Sequence, residues 1–262
     1  MKKIEIALYF SLATACMVIF VYLTPPILEG EVLKHIFLFE NLAGDLAVYL
    51  WRFIISFLFL GLIPFLGAIV LGYNFKTLGF TLPFSFLKSK LFILLLSVAL
   101  LIGIGGRLDP NLQGYYPYSK TLVYLIKDKG FYFLLHALAY FFLYYLPWEF
   151  FFRGFLIIPL LDFINAEEPS IRSENRGFRV TSSVDKNISG YAVEPCTLAV
   201  ACVQVIPSTL LHFGHPITET LGAIPAGILF GYLVLKTRSI LPGLILHGLV
   251  GIALDMSIIF IN

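Results

Sequence analysis

Apolar runs of membrane-spanning length constrain this chain more than any other feature of its sequence. A helix needs about 20 apolar residues to cross the ~30 Å hydrocarbon core of a bilayer, where every backbone polar group must be hydrogen-bonded within the protein. The apolar runs lie at about 5–23, 46–71, 91–104, 130–146, 148–161, 196–211, 218–235 and 240–261. They lack the two-residue alternation of a membrane barrel. The sequence therefore predicts an all-α polytopic membrane helix bundle of seven to eight transmembrane helices, forming one membrane domain.

The composition excludes soluble and nucleic-acid-binding classes of protein. Hydrophobic residues make up 59% of the 262 residues and charged residues 13%, with a mean hydropathy of +0.90. Soluble domains carry about 25% charged residues, so this chain has too little polar surface for water and we expect contact with membrane lipid. A net charge of +2 without a dense basic block argues against a nucleic-acid partner. The three cysteines lack the spacing of a disulfide framework or a metal site.

The charged residues between the apolar runs predict a topology. The first run continues past Cys16, beyond where a signal peptide would be cleaved, so we expect an uncleaved first span. The positive-inside rule then places the N-terminus in the cytoplasm, and we expect a bacterial cytoplasmic (inner) membrane. If 130–161 crosses once, eleven Lys and Arg lie inside and five outside, and two full crossings would reverse the bias. The polar segment 162–195 predicts an extramembrane loop.

Two opposite charges interrupt one of the apolar runs. A charge at the bilayer centre costs at least about 2.5–3.5 kcal/mol on insertion scales, so such a residue is usually paired or functional. Glu149 and Arg153 are four residues apart and share one face of a helix. Two interpretations stay open at this point. The two residues form a buried ion pair that fixes a helix crossing, or the arginine orients the carboxylate for chemistry.

Histidines on two other apolar helices are the remaining ionisable candidates. His212 and His247 lie within apolar runs, where a buried imidazole needs a hydrogen-bonding partner. His215 would share the face of His212 if the helix continued, but Gly214 predicts that the helix ends and that His215 is an interfacial residue. Each histidine alone is explained as a packing residue. Ionisable residues on three separate apolar helices are best explained by convergence on one polar cavity.

A carboxylate and two imidazoles are suited to the hydrolysis of an amide bond. Glu149, His212 and His247 together are able to hold and deprotonate one water molecule, either without a cofactor or with zinc or another divalent metal. The substrate expected for such a site is a peptide or a membrane protein. The same residues also suit a transporter, in which they would pass protons or bind a cation.

The motifs resemble those of the CPBP intramembrane protease family, which includes the type II CAAX prenyl endopeptidases and bacteriocin-immunity proteins. The resemblance rests on Glu-x-x-x-Arg-Gly, a histidine on a later helix and a histidine near the C-terminus, all within 130–261. It implies about eight helices around a membrane-embedded active site and a metallo- or glutamate endopeptidase activity. The catalytic residues that it implies are Glu149, Arg153, His212 and His247. The metal ligands that it implies are Glu149, His212 and His247.

Three positions depart from the pattern of that family. The first glutamate of its Glu-Glu-x-x-x-Arg motif, assigned to water activation, is Trp148 here. The aromatic residue of the second motif is Ser208, and the Asn or Asp of the third motif is Gly251. Two accounts follow. Glu149 replaces the missing base, with Asp255 in place of the missing third-motif group, or hydrolysis is lost and the cavity binds a peptide or lipid-linked partner in immunity or membrane assembly.

Overall fold

The structure, a computed structural model, describes residues 3–24, 42–164 and 195–261. Of these residues 81% are helical and none lies in a strand, which confirms the predicted all-α fold class. The helices are α1 (Lys3–Leu23), α2 (Gly44–Val70), α3 (Phe84–Leu87), α4 (Lys90–Gly106), α5 (Pro110–Tyr115), α6 (Lys120–Asp128), α7 (Phe131–Ile164), α8 (Pro195–Val203), α9 (Val205–Leu210), α10 (Ile217–Thr237) and α11 (Leu241–Phe260).

Five of the described helices, α1, α2, α7, α10 and α11, are long and apolar enough to cross a membrane. Helix α4 and the apolar stretch Ala199–Leu210 are shorter than a full span. These helices identify the chain as an integral membrane protein. The total of seven to eight transmembrane helices stays a prediction.

The two apolar runs on either side of Pro147 form one continuous helix, α7. A proline has no N–H, and its ring clashes with the carbonyl four residues earlier, which normally breaks or kinks a helix. The turn before Pro147 is a π-helical segment, Phe141–Tyr145, and its wider spacing accommodates the proline. Helix α2 repeats this arrangement, with the π-helical segment Phe57–Leu62 before Pro64. A continuous α7 agrees with the single crossing that the positive charges favour.

The predicted polar loop at 162–195 falls almost entirely outside the described residues. Its first three residues are helical rather than loop, because α7 continues to Ile164, and its last residue, Pro195, begins α8. The longer helix has a packing reason, since Ile164 lies against the buried hydrophobic core of the bundle. The role of this segment as an extramembrane loop stays a prediction.

The apolar run at 196–211 is two helices in the structure, α8 and α9, rather than one. Pro207 cannot donate the hydrogen bond that would join its turn to the one before it. The helix is interrupted at Gln204 and begins again at the next residue. The side-chain amide of Gln204 donates to the carbonyl oxygens of Ala201 at 3.2 Å and Gly227 at 2.9 Å. The interruption thereby ties α8 to α10.

Helix α7 lies at the centre of the bundle. Its apolar window is 78% buried, against 22% for α1 and 33% for α2. A helix that is buried on most sides needs apolar residues all round, and the fully buried phenylalanines Phe151, Phe152 and Phe155 provide them. The same helix carries Glu149 and Arg153, so its central position places both charges inside the protein.

Helices α4 and α11 pack closely through a glycine. A Cβ atom added at Gly103 would lie 2.5 Å from the carbonyl oxygen of Val250 and 2.8 Å from the Cβ of Ala253. Gly105 on the same helix has nothing within 4 Å of its added Cβ. Close approach through small residues is common in membrane bundles. Because α11 carries His247, this contact contributes to the position of a predicted site residue.

We predict that Gly103→Ala lowers the melting temperature of the detergent-solubilised protein, because the added methyl group forces α4 and α11 apart. Overpacking of this kind typically costs about 1–3 kcal/mol. Gly105→Ala is the matched control and should be neutral or slightly stabilising, since alanine favours a helix over glycine. Thermal unfolding of both variants measures the difference. Equal melting temperatures for the two variants would contradict the close packing.

Candidate active site

A cavity of about 500 Å³ lies between α4, α10 and α11. Its walls are mostly apolar and consist of small and branched side chains from these three helices. The side chains with polar groups that line it are Tyr116, Tyr145, His212, Thr218, Glu219 and His247. An apolar cavity with a few convergent polar groups is the usual form of a binding or catalytic site.

A buried carboxylate joins α7 to α11 at this cavity. Glu149 is 0% exposed, and its Oε1 lies 2.7 Å from Nδ1 of His247 and 3.3 Å from Nη1 of Arg153. The guanidinium also lies near the rings of Phe152 and Phe230. A carboxylate paired with a cation accepts hydrogen bonds, so Nδ1 of His247 donates and Nε2 is its remaining acceptor. The structure thus brings three of the predicted residues together.

His212 lines the same cavity as His247, from the segment that follows α9. Helix α9 ends at Leu210 and Gly214 has a φ of 92°, which confirms that the helix does not continue. Burial lowers the pKa of His212 to about 4, against the opposing charge of Glu219, so the imidazole is neutral at pH 7. Nδ1 donates to the carbonyl oxygen of Ser208 at 2.7 Å. Nε2 therefore carries the lone pair.

The predicted site residues omit Glu219, the carboxylate that lines the cavity. It lies in the first turn of α10, and its Oε1 accepts from the hydroxyl of Tyr116 and from Nδ1 of His215, each at 2.9 Å. The same oxygen is 3.9 Å from Nε2 of His212. A signal was present in the sequence, because Glu219 is the single acidic residue of the apolar run 218–235. Tyr116 carries no comparable signal.

Aromatic side chains fill the space at two positions where this chain departs from the family it resembles, Trp148 and Gly251. The ring of Trp148 packs edge-on against His212, with centroids 5.2 Å apart. The hydroxyl of Tyr145 occupies the space that a side chain at Gly251 would need. The ring of Tyr145 lies 4.6 Å from that of His247, centroid to centroid. Glycine at 251 therefore allows a tyrosine hydroxyl to come close to the cavity wall beside His247.

Asp255 does not take the place of the missing third-motif group, contrary to the expectation from sequence. Its Oδ2 lies 2.9 Å from Nε2 of His136, whose Nδ1 is 2.6 Å from the hydroxyl of Tyr49. All three side chains are buried, and Asp255 is not among the described residues that line the cavity. Asp255 lies about two helical turns beyond His247 on α11, and its carboxylate faces His136 rather than the cavity. This polar chain joins α2, α7 and α11.

The predicted metal ligands Glu149, His212 and His247 do not form a ligand set. Within the described ranges, no three His, Cys, Asp or Glu side chains are placed to hold one metal ion, whereas a zinc site uses at least three protein ligands. The Oε1 atom of Glu149 is already shared by His247 and Arg153. Binding of zinc or another divalent metal stays a prediction, and the donors do not fit it in this arrangement.

We predict that Asp255→Ala lowers the melting temperature, because it leaves Nε2 of His136 buried without a partner. Breaking a buried pair costs about 3–5 kcal/mol. The double variant Asp255→Leu with His136→Phe should recover part of that loss, since apolar replacement of both partners is often close to neutral. Thermal unfolding in one detergent compares the variants. The interpretation is wrong if the single variant is as stable as the unmodified protein, or if the double variant recovers nothing.

Comparison with known proteins gives a family match within the second half of the chain. The sequence model of the type II CAAX prenyl endopeptidase Rce1-like family matches residues 130–253. The match extends from the start of α7 into α11 and therefore contains all four predicted site residues together with Glu219. It confirms the resemblance inferred from the motifs. No curated protein and no solved structure matches the chain.

Proposed function

We propose that the chain is an intramembrane endopeptidase, and the match of residues 130–253 to the type II CAAX prenyl endopeptidase Rce1-like family supports this proposal. It hydrolyses a peptide bond inside the cavity between α4, α10 and α11. One observation carries the proposal. The imidazole of His247, hydrogen-bonded to the buried Glu149, lines an apolar cavity that His212 also lines.

The two histidines hold the attacking water. His247 uses Nδ1 to donate to Glu149, and His212 uses Nδ1 to donate to the carbonyl of Ser208, so Nε2 is the ring nitrogen that each histidine offers to water as an acceptor. Two acceptors on one cavity orient a water molecule for attack on a carbonyl carbon. An apolar, water-poor cavity strengthens these hydrogen bonds.

Glu149 and Arg153 act as positioning residues in this proposal. Glu149 was expected from sequence to be the base, but it is fully buried and is not among the described residues that line the cavity. Its hydrogen bond fixes the tautomer and the orientation of His247, as a carboxylate does for other functional histidines. Arg153 places an opposite charge 3.3 Å from that carboxylate.

The substrate that suits the cavity is a peptide with a strongly apolar part, such as a prenylated CAAX peptide or a segment of a membrane protein. The wall formed by α4 includes Val98 and Ile102, whose side chains are 42% and 59% exposed. The apolar lining is therefore continuous with the outer surface of a protein embedded in lipid. An apolar substrate would reach the cavity from the bilayer, which we take to be a bacterial cytoplasmic membrane.

Hydrolysis is tested with the purified protein in proteoliposomes and an internally quenched peptide that ends in a farnesylated CAAX sequence. The same peptide without the farnesyl group is the second probe. We predict that His247→Ala lowers kcat by about 100-fold, because the attacking water loses one of the two groups that orient it. Glu149→Gln should lower it by about 10–100-fold, the usual effect of losing an orienting partner. Glu5→Gln is the matched carboxylate-to-amide control and should keep its activity.

The outcome separates the proposal from its alternatives. Cleavage of either probe that depends on His247 supports an endopeptidase. If neither probe is cleaved above the level of the His247→Ala variant, the proposal is wrong. Retained peptide binding without cleavage would then indicate a catalytically silent family member that acts in immunity or membrane assembly. Solute or proton flux in the same liposomes would indicate a transporter.

A further inference from the structure

We propose that Glu219 is the general base that deprotonates the attacking water. This inference rests on the proposed endopeptidase function and adds a catalytic residue to it. Hydrolysis of an amide needs a group that takes a proton from water and later gives one to the departing nitrogen. The group must line the cavity in which the peptide bond lies.

Access distinguishes the two carboxylates near the site. The side chain of Glu149 is 0% exposed, and its Oε1 is shared between His247 and Arg153. Glu219 lines the cavity, and 22% of its side chain is exposed. A water molecule in the cavity therefore meets Glu219 rather than Glu149.

The position of Glu219 also leaves a place for water. Its Oε1 is 3.9 Å from Nε2 of His212, too far for a direct hydrogen bond but suited to a water molecule that bridges the two groups. Its Oε2 is buried and has no hydrogen-bond partner among the described residues, as is also true of Oε2 of Glu149. The 3.9 Å gap to His212 is therefore the feature that sets Glu219 apart. The carboxylate and the imidazole are placed to bind one water molecule between them.

The partners of Oε1 fix the carboxylate in this orientation. Tyr116 and the ring of His215 each approach that oxygen to 2.9 Å. Tyr116 precedes α6, and His215 lies just before α10, so the carboxylate is held from two separate segments. Its own backbone lies in the first turn of α10. A base held in this way keeps its geometry while a substrate binds.

The step balances in atoms and charge. Glu219 takes one proton from water as the water oxygen forms a bond to the carbonyl carbon and the carbonyl π electrons move to its oxygen. The tetrahedral intermediate then re-forms the carbonyl, the C–N bond breaks, and the proton held by Glu219 passes to the departing nitrogen. The products are a carboxylic acid and an amine.

A purely structural role makes a different prediction for conservative variants. If Glu219 only ties Tyr116 and His215 together, Glu219→Gln keeps the length of the side chain and a hydrogen-bond acceptor, so its kcat should be close to that of the unmodified protein. The shorter Glu219→Asp should then have the lower kcat of the two. If Glu219 is the base, the order reverses, because aspartate keeps a carboxylate and glutamine does not. Tyr116→Phe removes one hydrogen bond to Glu219 and keeps the base, so its kcat should fall less than that of Glu219→Gln.

The experiment measures kcat and KM of these variants in proteoliposomes with the farnesylated, internally quenched CAAX peptide. Glu219→Gln should lose about 100-fold in kcat with KM changed less than about threefold, and Glu219→Asp should retain more activity. Asp109→Asn is the matched control. Asp109 accepts a hydrogen bond from Thr218, the residue before Glu219, and is not among the described residues that line the cavity. Melting temperatures check that each variant folds.

Two results would overturn the inference. If Glu219→Gln cleaves within about threefold of the unmodified protein while His247→Ala is inactive, Glu219 is not the base and the endopeptidase proposal stands. If Tyr116→Phe loses as much as Glu219→Gln, Glu219 acts only as a structural tie. Absence of cleavage by the unmodified protein instead overturns the proposed function itself. Should Glu219→Gln fail to fold, the kcat of Glu219→Asp is compared with that of Tyr116→Phe. Activity retained by both variants supports Glu219 as the base, and a loss in Glu219→Asp alone indicates a structural tie.

Discussion

The buried carboxylate of Glu149 is the interaction on which the arrangement of this bundle depends. A charge inside an apolar helix bundle costs several kcal/mol unless it is paired and hydrogen-bonded. Arg153, one turn along the same helix, supplies the opposite charge, and His247 of α11 supplies the hydrogen bond. Because the bond to His247 is made between helices, it fixes the register of α11 against α7. The side chains that α11 presents to the cavity follow from that register.

The two carboxylates nearest the cavity differ in their access to water. Glu149 is fully buried and accepts a hydrogen bond from the imidazole of His247. Glu219 is partly exposed and lies against His212 in the cavity. A third carboxylate, Asp255, forms a hydrogen bond with His136 elsewhere in the bundle. Position, rather than residue type, decides which acidic group is available for chemistry.

The sequence alone predicts the fold class and part of the site. Long apolar runs require helices, and the four-residue spacing of a carboxylate and a guanidinium predicts their pairing. Tertiary contacts account for what could not be predicted. Pro147 suggests a break, but a π-helical turn before it keeps α7 continuous. Asp255 meets His136 across 119 positions, and Glu219 meets Tyr116 across 103. No local spacing encodes pairings of this kind.

Cleavage in water enriched in ¹⁸O, followed by mass spectrometry of the peptide products, tests most directly whether this cavity hydrolyses an amide bond. We predict that the unmodified protein releases a product whose new C-terminal carboxyl group carries one ¹⁸O atom, and that this product disappears when His247 is replaced by alanine. Release of the same labelled product by both proteins would contradict hydrolysis in this cavity. So would the absence of any labelled product from the unmodified protein.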